Sequence, residues 1–282
     1  MKHLLVPTDF SGCADNALDF AVESARLLPQ QITLLHSLNH PDNRYTDYVG
    51  LDKEFTRLRV HDVNEQLAKL KANLQETTGL VINTSIVQGE VPESIVEAAN
   101  EKDIDLIIMG TSGAKGIREK LWGTTTTGVI AKSTVPVLTI PTEYHWKKPQ
   151  RILFATNHYE LDPQVLETLM MVVGMYKAEL HVAIVSVDND DAPTFLEHCR
   201  ETPHYEQMLK QKYGAAIHNV ANLYGKSVEE SLEGYITQNN IDLLAMVPYK
   251  KNFPKNIFFP SLTKHMACHT KIPLLALHVN QE

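Results

Sequence analysis

The chain has 282 residues, 43% hydrophobic and 21% charged, and a formal net charge of −8. That length suffices for two ordinary domains, each able to bury its own core. No run of eighteen apolar residues occurs, which excludes a spanning helix, and the negative charge divides evenly between the halves with no basic stripe, which argues against nucleic acid and membrane partners.

The first strand reads from His3 to Pro7. Its apolar stretch is too short for a signal peptide, so a cytoplasmic protein is expected. Three cysteines, Cys13, Cys199 and Cys268, with no Cys-x-x-Cys spacing fit a reducing compartment. A turn over Thr8-Asp9-Phe10-Ser11-Gly12 leads into a helix from about Asp15 to Leu28, whose Ala17, Leu18, Ala21 and Ala25 fall at helical spacing. Gln31 to Leu38 reads as the second strand and residues 39–52 as a long polar loop. Phe55 to Gln75 reads as a helix with Leu58, Val63, Leu67, Leu70 and Leu74 facing inward, and Leu80 to Val87 as the third strand. Pro92 falls in the first turn of a third helix, where its missing N–H costs little. Ile104 to Met109 is an apolar run of the kind found in buried parallel strands. A fifth strand, Val135 to Pro141, carries prolines that suggest an edge or a special pairing.

Thr142 to Gln150 reads as a linker, after which the pattern starts again. Ile152 to Asn157 repeats Leu4 to Asp9, Ile241 to Met246 repeats Ile104 to Met109, and Ile272 to Leu277 repeats Val135 to Ile140. This is an internal duplication, with domains expected at 1–142 and 150–280. The alternation of strand and helix predicts an α/β fold, two tandem doubly wound parallel sheets with helices on both faces. In such sheets ligands lie beyond the carboxyl ends of the strands, where Asp9, Ser37 and Gly110 fall.

The most informative stretch is Gly110-Thr111-Ser112-Gly113, nine residues, then Gly123-Thr124-Thr125. Gly110 and Gly113 permit a sharp exit from the strand, so backbone N–H groups can close on a ligand. Thr124 and Thr125 open the next helix, whose unpaired N–H groups and dipole favour an anion. Lys115, Arg118 and Lys120 make the intervening loop basic. No Gly-x4-Gly-Lys-Ser/Thr occurs, so this is not a Walker loop.

The spacing Gly-x2-Gly-x9-Gly-Thr resembles the signature of the nucleotide-binding members of the universal stress protein family, and with the duplication the resemblance to a tandem member covers nearly the whole chain. It implies a Rossmann-like fold of the adenine nucleotide alpha hydrolase type, with strand order 3-2-1-4-5 in each repeat. It further implies ATP, with ADP or AMP as alternatives and magnesium allowed. By resemblance, Asp9 meets the ribose, Ser37 presents backbone to adenine, and Gly110, Gly113, Gly123 and Thr124 hold the phosphates, with Pro7, Thr8, Met109 and Thr125 adjacent. Asp9 has a second reading, as an acceptor at the start of the first helix.

The second repeat departs from this pattern: Gly110, Gly113, Gly123 and Asp9 are replaced by Val247, Lys250, Pro260 and Asn157. Its nucleotide site is read as lost. No acidic pair near the loop would clamp magnesium, and neither a catalytic residue nor a complete metal-ligand spacing is identifiable, His265, Cys268 and His269 included. The expected function is therefore a stress-response sensor or regulatory module that meets a protein partner. A slow ATPase or phosphotransferase and a nucleotide-free scaffold are the alternatives. In this family fifth strands commonly pair between subunits, and here both lie in one chain, so an intramolecular pseudo-dimer is expected, with a homodimer left open.

Overall fold

The computed structural model describes residues 1–38, 49–111, 124–159, 162–187, 192–225, 227–248 and 260–278. In chain order the first repeat holds β1 (His3–Pro7), α1 (Gly12–Ala25), β2 (Gln31–Leu38), α2 (Val49–Thr78), β3 (Val81–Gln88), α3 (Val91–Glu101), β4 (Leu106–Thr111), α4 (Thr124–Lys132) and β5 (Val137–Pro141). The second holds β6 (Arg151–Thr156), α5 (Pro163–Tyr176), β7 (Glu179–Val187), α6 (Ala192–Tyr213), β8 (Ile217–Gly225), α7 (Val228–Gln238), β9 (Leu243–Met246), α8 (Pro260–His269) and β10 (Leu274–Ala276).

The strands form one sheet in the order β3-β2-β1-β4-β5-β10-β9-β6-β7-β8. The first repeat thus has the order 3-2-1-4-5, and the second has the same order in mirror sequence across the seam. Pairing is parallel within each repeat and antiparallel only where β5 meets β10, with Leu274 opposite Thr139, Leu275 opposite Leu138 and Ala276 opposite Val137. β5 is therefore hydrogen-bonded on both sides and lies in the middle of the sheet. Its prolines are accommodated at the ends: Pro136 precedes the strand and Pro141 is its last residue.

Alternation along the strands sends side chains into two cores, one on each face of the sheet. One face packs α1, α2, α5 and α6 over Val6, Leu34, Ile108, Phe154 and Ile184. The other packs α3, α4, α7 and α8 over Leu5, Leu35, Ile107, Met109 and Leu153. Both cores run through both repeats. The linker carries part of this contact: Trp146 meets Phe20 edge-on at 4.7 Å, and Tyr176 shares a buried 2.9 Å hydrogen bond with Ser24 across the seam.

The duplication repeats bond for bond at the amino ends of the strands. Asp105 accepts from the backbone N–H groups of Lys2 and His3, and Asp242 accepts from those of Gln150 and Arg151. The residue two before each aspartate, Asp103 or Asn240, has a positive φ near 50°, the left-handed turn that Asp and Asn tolerate best.

Several sequence expectations need correcting. α1 starts at Gly12 because Ser11 caps it, and it ends at Ala25, leaving Leu27 and Leu28 exposed. α2 begins at Val49, earlier than Phe55. Leu58 is exposed, whereas Val63 and Leu67 are buried and Val60, Leu70 and Leu74 pack against the core. Leu58 lies nine residues from Leu67, about two and a half helical turns, and so projects from the opposite side. β4 runs to Thr111, so Gly110 lies within the strand and not at a sharp exit from it.

Candidate functional site

At the carboxyl ends of β1, β2 and β4 the sheet opens into a cleft of about 640 Å³. Its walls include Pro7, Thr8 and Asp9 after β1, Ser37 on β2, Met109 and Gly110 on β4, and Thr124 and Thr125 at the start of α4. Eight of the ten sequence-selected residues thus meet in one cavity; Gly113 and Gly123 lie outside the described residues. The position is the one the topology dictates, since the strand order reverses between β1 and β4.

The β1–α1 turn is held by side chains. Thr8 Oγ1 accepts from the N–H of Phe10, which adopts φ 60°, and the Phe10 ring stacks on His36 at 5.1 Å. His36 Nδ1 in turn sits 2.8 Å from Thr8 O. Asp9 accepts from both the N–H and the hydroxyl of Ser11, and Ser11 Oγ accepts from Ala14 N. The cap of α1 is therefore Ser11, while the Asp9 carboxylate orients that cap and borders the cleft.

Ser37 is placed by strand geometry. Leu35 O accepts from Thr8 N on the β1 side, and Leu38 O accepts from Gly89 N on the β3 side. Backbone groups in a parallel strand alternate sides, so Ser37 directs its N–H and C=O as Leu35 does, toward the space beyond the end of β1. Its hydroxyl turns away to Ser94 Oγ, 2.7 Å distant on α3.

Gly110 is a glycine for a packing reason. A Cβ there would lie 2.2 Å from Cys13 O and 2.5 Å from Cys13 Sγ. The first turn of α1 thus crosses β4 in direct backbone contact and forms the cleft floor. Thr126 Oγ1 donates to Gly110 O, fixing the start of α4 against the strand. Gly128 permits a second close approach, since its Cβ would lie 2.9 Å from Pro92 on α3. The Cys13 thiol borders the cleft, and burial pushes it up, with Asp9 adding to the shift and a hydrogen bond with Thr142 opposing it. That shift disfavours the thiolate, the form in which a cysteine attacks.

Sequence reading missed several lining residues. Val91 and Ile95 form an apolar wall from the start of α3, at the i, i+4 spacing of one helix face. Arg59 brings an exposed cation from α2, and nothing near it in sequence signalled that role. Asp9 is the one carboxylate among the described lining residues.

In the second repeat β9 stops at Met246, and Val247, the counterpart of Gly110, is buried at 3% exposure. α8 opens on Pro260, which has no N–H to offer. Its neighbours Lys250, Lys251 and Lys255 lie outside the described residues. On α8, His265 and His269 are exposed while Cys268 is buried, so the three do not converge.

Two repeats of order 3-2-1-4-5 fused through their fifth strands, with a polar cleft at the switch point of the first, define a tandem Rossmann-like α/β protein. The Universal stress protein family profile matches residues 1–141, and the chain belongs to that family. A universal stress protein of Methanocaldococcus jannaschii is 32% identical over 152 residues, covering 49% of this chain and 94% of the relative. The crystal structure of a universal stress protein from Archaeoglobus fulgidus covers 98% of both chains with a TM-score of 0.73 at 19% identity. A functionally unknown protein from Pseudomonas aeruginosa covers 99% of this chain and 92% of its own, with a TM-score of 0.62 at 13% identity. These last two likenesses speak to the fold alone. Among the described residues no helix is long and apolar enough to cross a membrane.

Proposed function

We propose that the first repeat binds one adenine nucleotide, ATP with ADP or AMP as alternatives, and that the protein works as a cytoplasmic stress-response sensor whose contact with a protein partner depends on nucleotide. The observation that carries this reading is the cleft itself. Its volume of about 640 Å³ lies in the range of roughly 300–1,000 Å³ typical of small-molecule sites. It combines an apolar wall (Val91, Ile95, Met109) and the Ser37 backbone for a base, a carboxylate (Asp9) for a ribose, and a helix N-terminus at Thr124 and Thr125 with the Arg59 cation in the same lining for phosphates. A base, a sugar and a chain of phosphates need these kinds of surroundings. The second repeat, with Val247 and Pro260 at the matching positions, contributes fold and not a second nucleotide.

Binding is favoured over turnover. Phosphoryl transfer needs metal clamps and an oriented nucleophile, and Asp9, already engaged by Ser11, is the sole described carboxylate in the cleft. Magnesium would enter on the nucleotide's phosphates, since the described lining residues offer it no pair of carboxylates. Calorimetry on the full chain tests the proposal: ATP should bind at one site per chain, and Arg59→Ala should weaken it about tenfold without altering the circular dichroism spectrum. No binding would refute the reading, and two equivalent sites would refute the assignment to one repeat.

A further inference from the structure

At the amino ends of β7 and β8, near the lateral edge of the sheet farthest from β3, three residues that the fold does not require come together. Glu179 and His181 stand two apart on β7 and so share a face. His218, second residue of β8, sits at a break in register: Leu180 pairs with Ile217, but His181 pairs with Asn219. Two residues of β8 therefore oppose one of β7, a bulge that re-aims the side chain it displaces. The His218 ring is brought over His181, with centroids 4.5 Å apart and planes at 21°. One ligand atom of each of the three residues lies within 4.8 Å of the other two, and Glu179 Oε2 is 3.7 Å from His218 Nδ1. Nitrogen and oxygen ligands about 2.0–2.2 Å from tetrahedral zinc stand roughly 3.4 Å apart. Small rotations of Glu179 and His218, both exposed, would close that difference.

His181 supplies the independent observation. It is only 2% exposed, and its Nε2 is buried with no hydrogen-bond partner. Its Nδ1 lies 3.0 Å from Tyr235 Oη, which donates to Asn219 Oδ1 at 3.1 Å. A phenol has one proton to give, so the bond to His181 must run the other way, Nδ1–H to Tyr235 Oη. The neutral ring then holds a bare lone pair on the buried Nε2, which is the nitrogen left for a metal. A ring N–H anchored by a neighbour while the other nitrogen stays bare is the arrangement that metal-binding histidines use.

The first repeat is the control. Gln31 and Thr33 occupy the places of Glu179 and His181, β2 and β3 pair without a bulge, and Thr33 simply bonds His3 at 2.8 Å. The same sheet forms there without the cluster, so folding does not account for it. Among the described residues Arg151 competes for Glu179, its Nε 3.7 Å from Oε2 on a partly exposed side chain that can swing away.

We propose that Glu179, His181 and His218 bind one divalent transition-metal ion of the zinc type, with Tyr235 positioning His181 and water completing the coordination. The ion would pin β8, the edge strand, to β7. Full-length protein freed of metal by chelation should take up one zinc per chain in calorimetry, and cobalt should give the visible absorption of a four-coordinate site. His218→Ala and Glu179→Gln, both exposed positions, should each weaken zinc at least tenfold with the fold intact, and Tyr235→Phe should weaken it roughly 10–100-fold. Zinc should raise the melting temperature of the wild type and not of the His218→Ala/Glu179→Gln double variant. Absence of zinc uptake by the wild type, or uptake unchanged in the double variant, would overturn the assignment. ATP affinity is measured separately, so this proposal and the nucleotide reading fail independently.

Discussion

Gly110→Ala adds one methyl group at the most constrained point of the cleft floor. The new Cβ would sit 2.2 Å from Cys13 O, 2.5 Å from its Sγ and 2.7 Å from its carbonyl carbon. The Sγ can rotate, but two of the three atoms are backbone in the first turn of α1, so relief requires moving helix against strand. Overpacking of a core typically costs about 1–3 kcal/mol, and a backbone clash belongs at or above the top of that range. At a urea slope of about 3 kcal/mol/M, a loss of about 3 kcal/mol lowers the unfolding midpoint by roughly 1 M. Gly174→Ala is the matched control: that glycine is exposed within α5, and its added Cβ would meet nothing within 4 Å. There the same chemical change should stabilise by about 0.5–1 kcal/mol, because alanine restricts the unfolded chain. Urea titrations followed by circular dichroism would show midpoints moving in opposite directions. If Gly110→Ala unfolded at the wild-type midpoint, the packing reason for this glycine would be wrong.

Gly113→Val fills a loop position that the second repeat occupies with Lys250, and losing two phosphate hydrogen bonds of about 1.5–3 kcal/mol each should weaken ATP at least a hundredfold; a folded variant of unchanged affinity would remove the phosphate role. Leu275→Ala opens a cavity opposite Leu138 in the seam and should cost about 2–5 kcal/mol, with faster proteolysis of the 142–150 segment as the readout. Burial holds the phenols of Tyr144 and Tyr176 well above the usual range, with Asp242 adding at Tyr144 and Ser24 opposing at Tyr176. Groups whose folded pKa is raised contribute stability that is full below the unfolded value of about 10 and is lost as pH climbs beyond it. Of the ten tyrosines, these two should ionise only with unfolding in an ultraviolet titration; prompt ionisation of all ten in folded protein would contradict their burial.

Periodicity made most of the fold legible. Ala17, Leu18, Ala21 and Ala25 are buried as their spacing implied, and the duplicated strand motifs carry the repeated order 3-2-1-4-5. Leu58 misled because hydrophobicity was read without phase, and the early start of α1 was hidden because Ser11, not a later residue, supplies the cap. The candidate cleft was legible where residues cluster at strand ends, as at Asp9, Ser37 and Gly110. Arg59 was not, because it enters from a helix two elements away and only tertiary packing brings it there. The Glu179–His181–His218 cluster was equally hidden. Its residues span two strands, and the bulge that aligns them leaves no mark in a pattern of alternating side chains.

Gly110 joins the stability of the first repeat to its chemistry. The glycine lets α1 approach β4 closely enough for the Ser11 cap, the Asp9 carboxylate and the Gly110 carbonyl to share one wall, and Thr126 closes that wall from α4. A larger residue would push these groups apart before any ligand arrived. The second repeat, free of that demand, places a buried valine at the same point and ends the strand early. What the second repeat supplies to the first is cover along the seam. All five residues of β5 are buried, and without β10 that strand would be an exposed apolar edge of the kind that draws other chains into a sheet. Phe20, Trp146 and Tyr176 likewise pack across the seam and would lose their cover. The second repeat thus completes the sheet through its seam and core, while the positions that match the cleft, Val247 and Pro260, carry side chains instead of glycine.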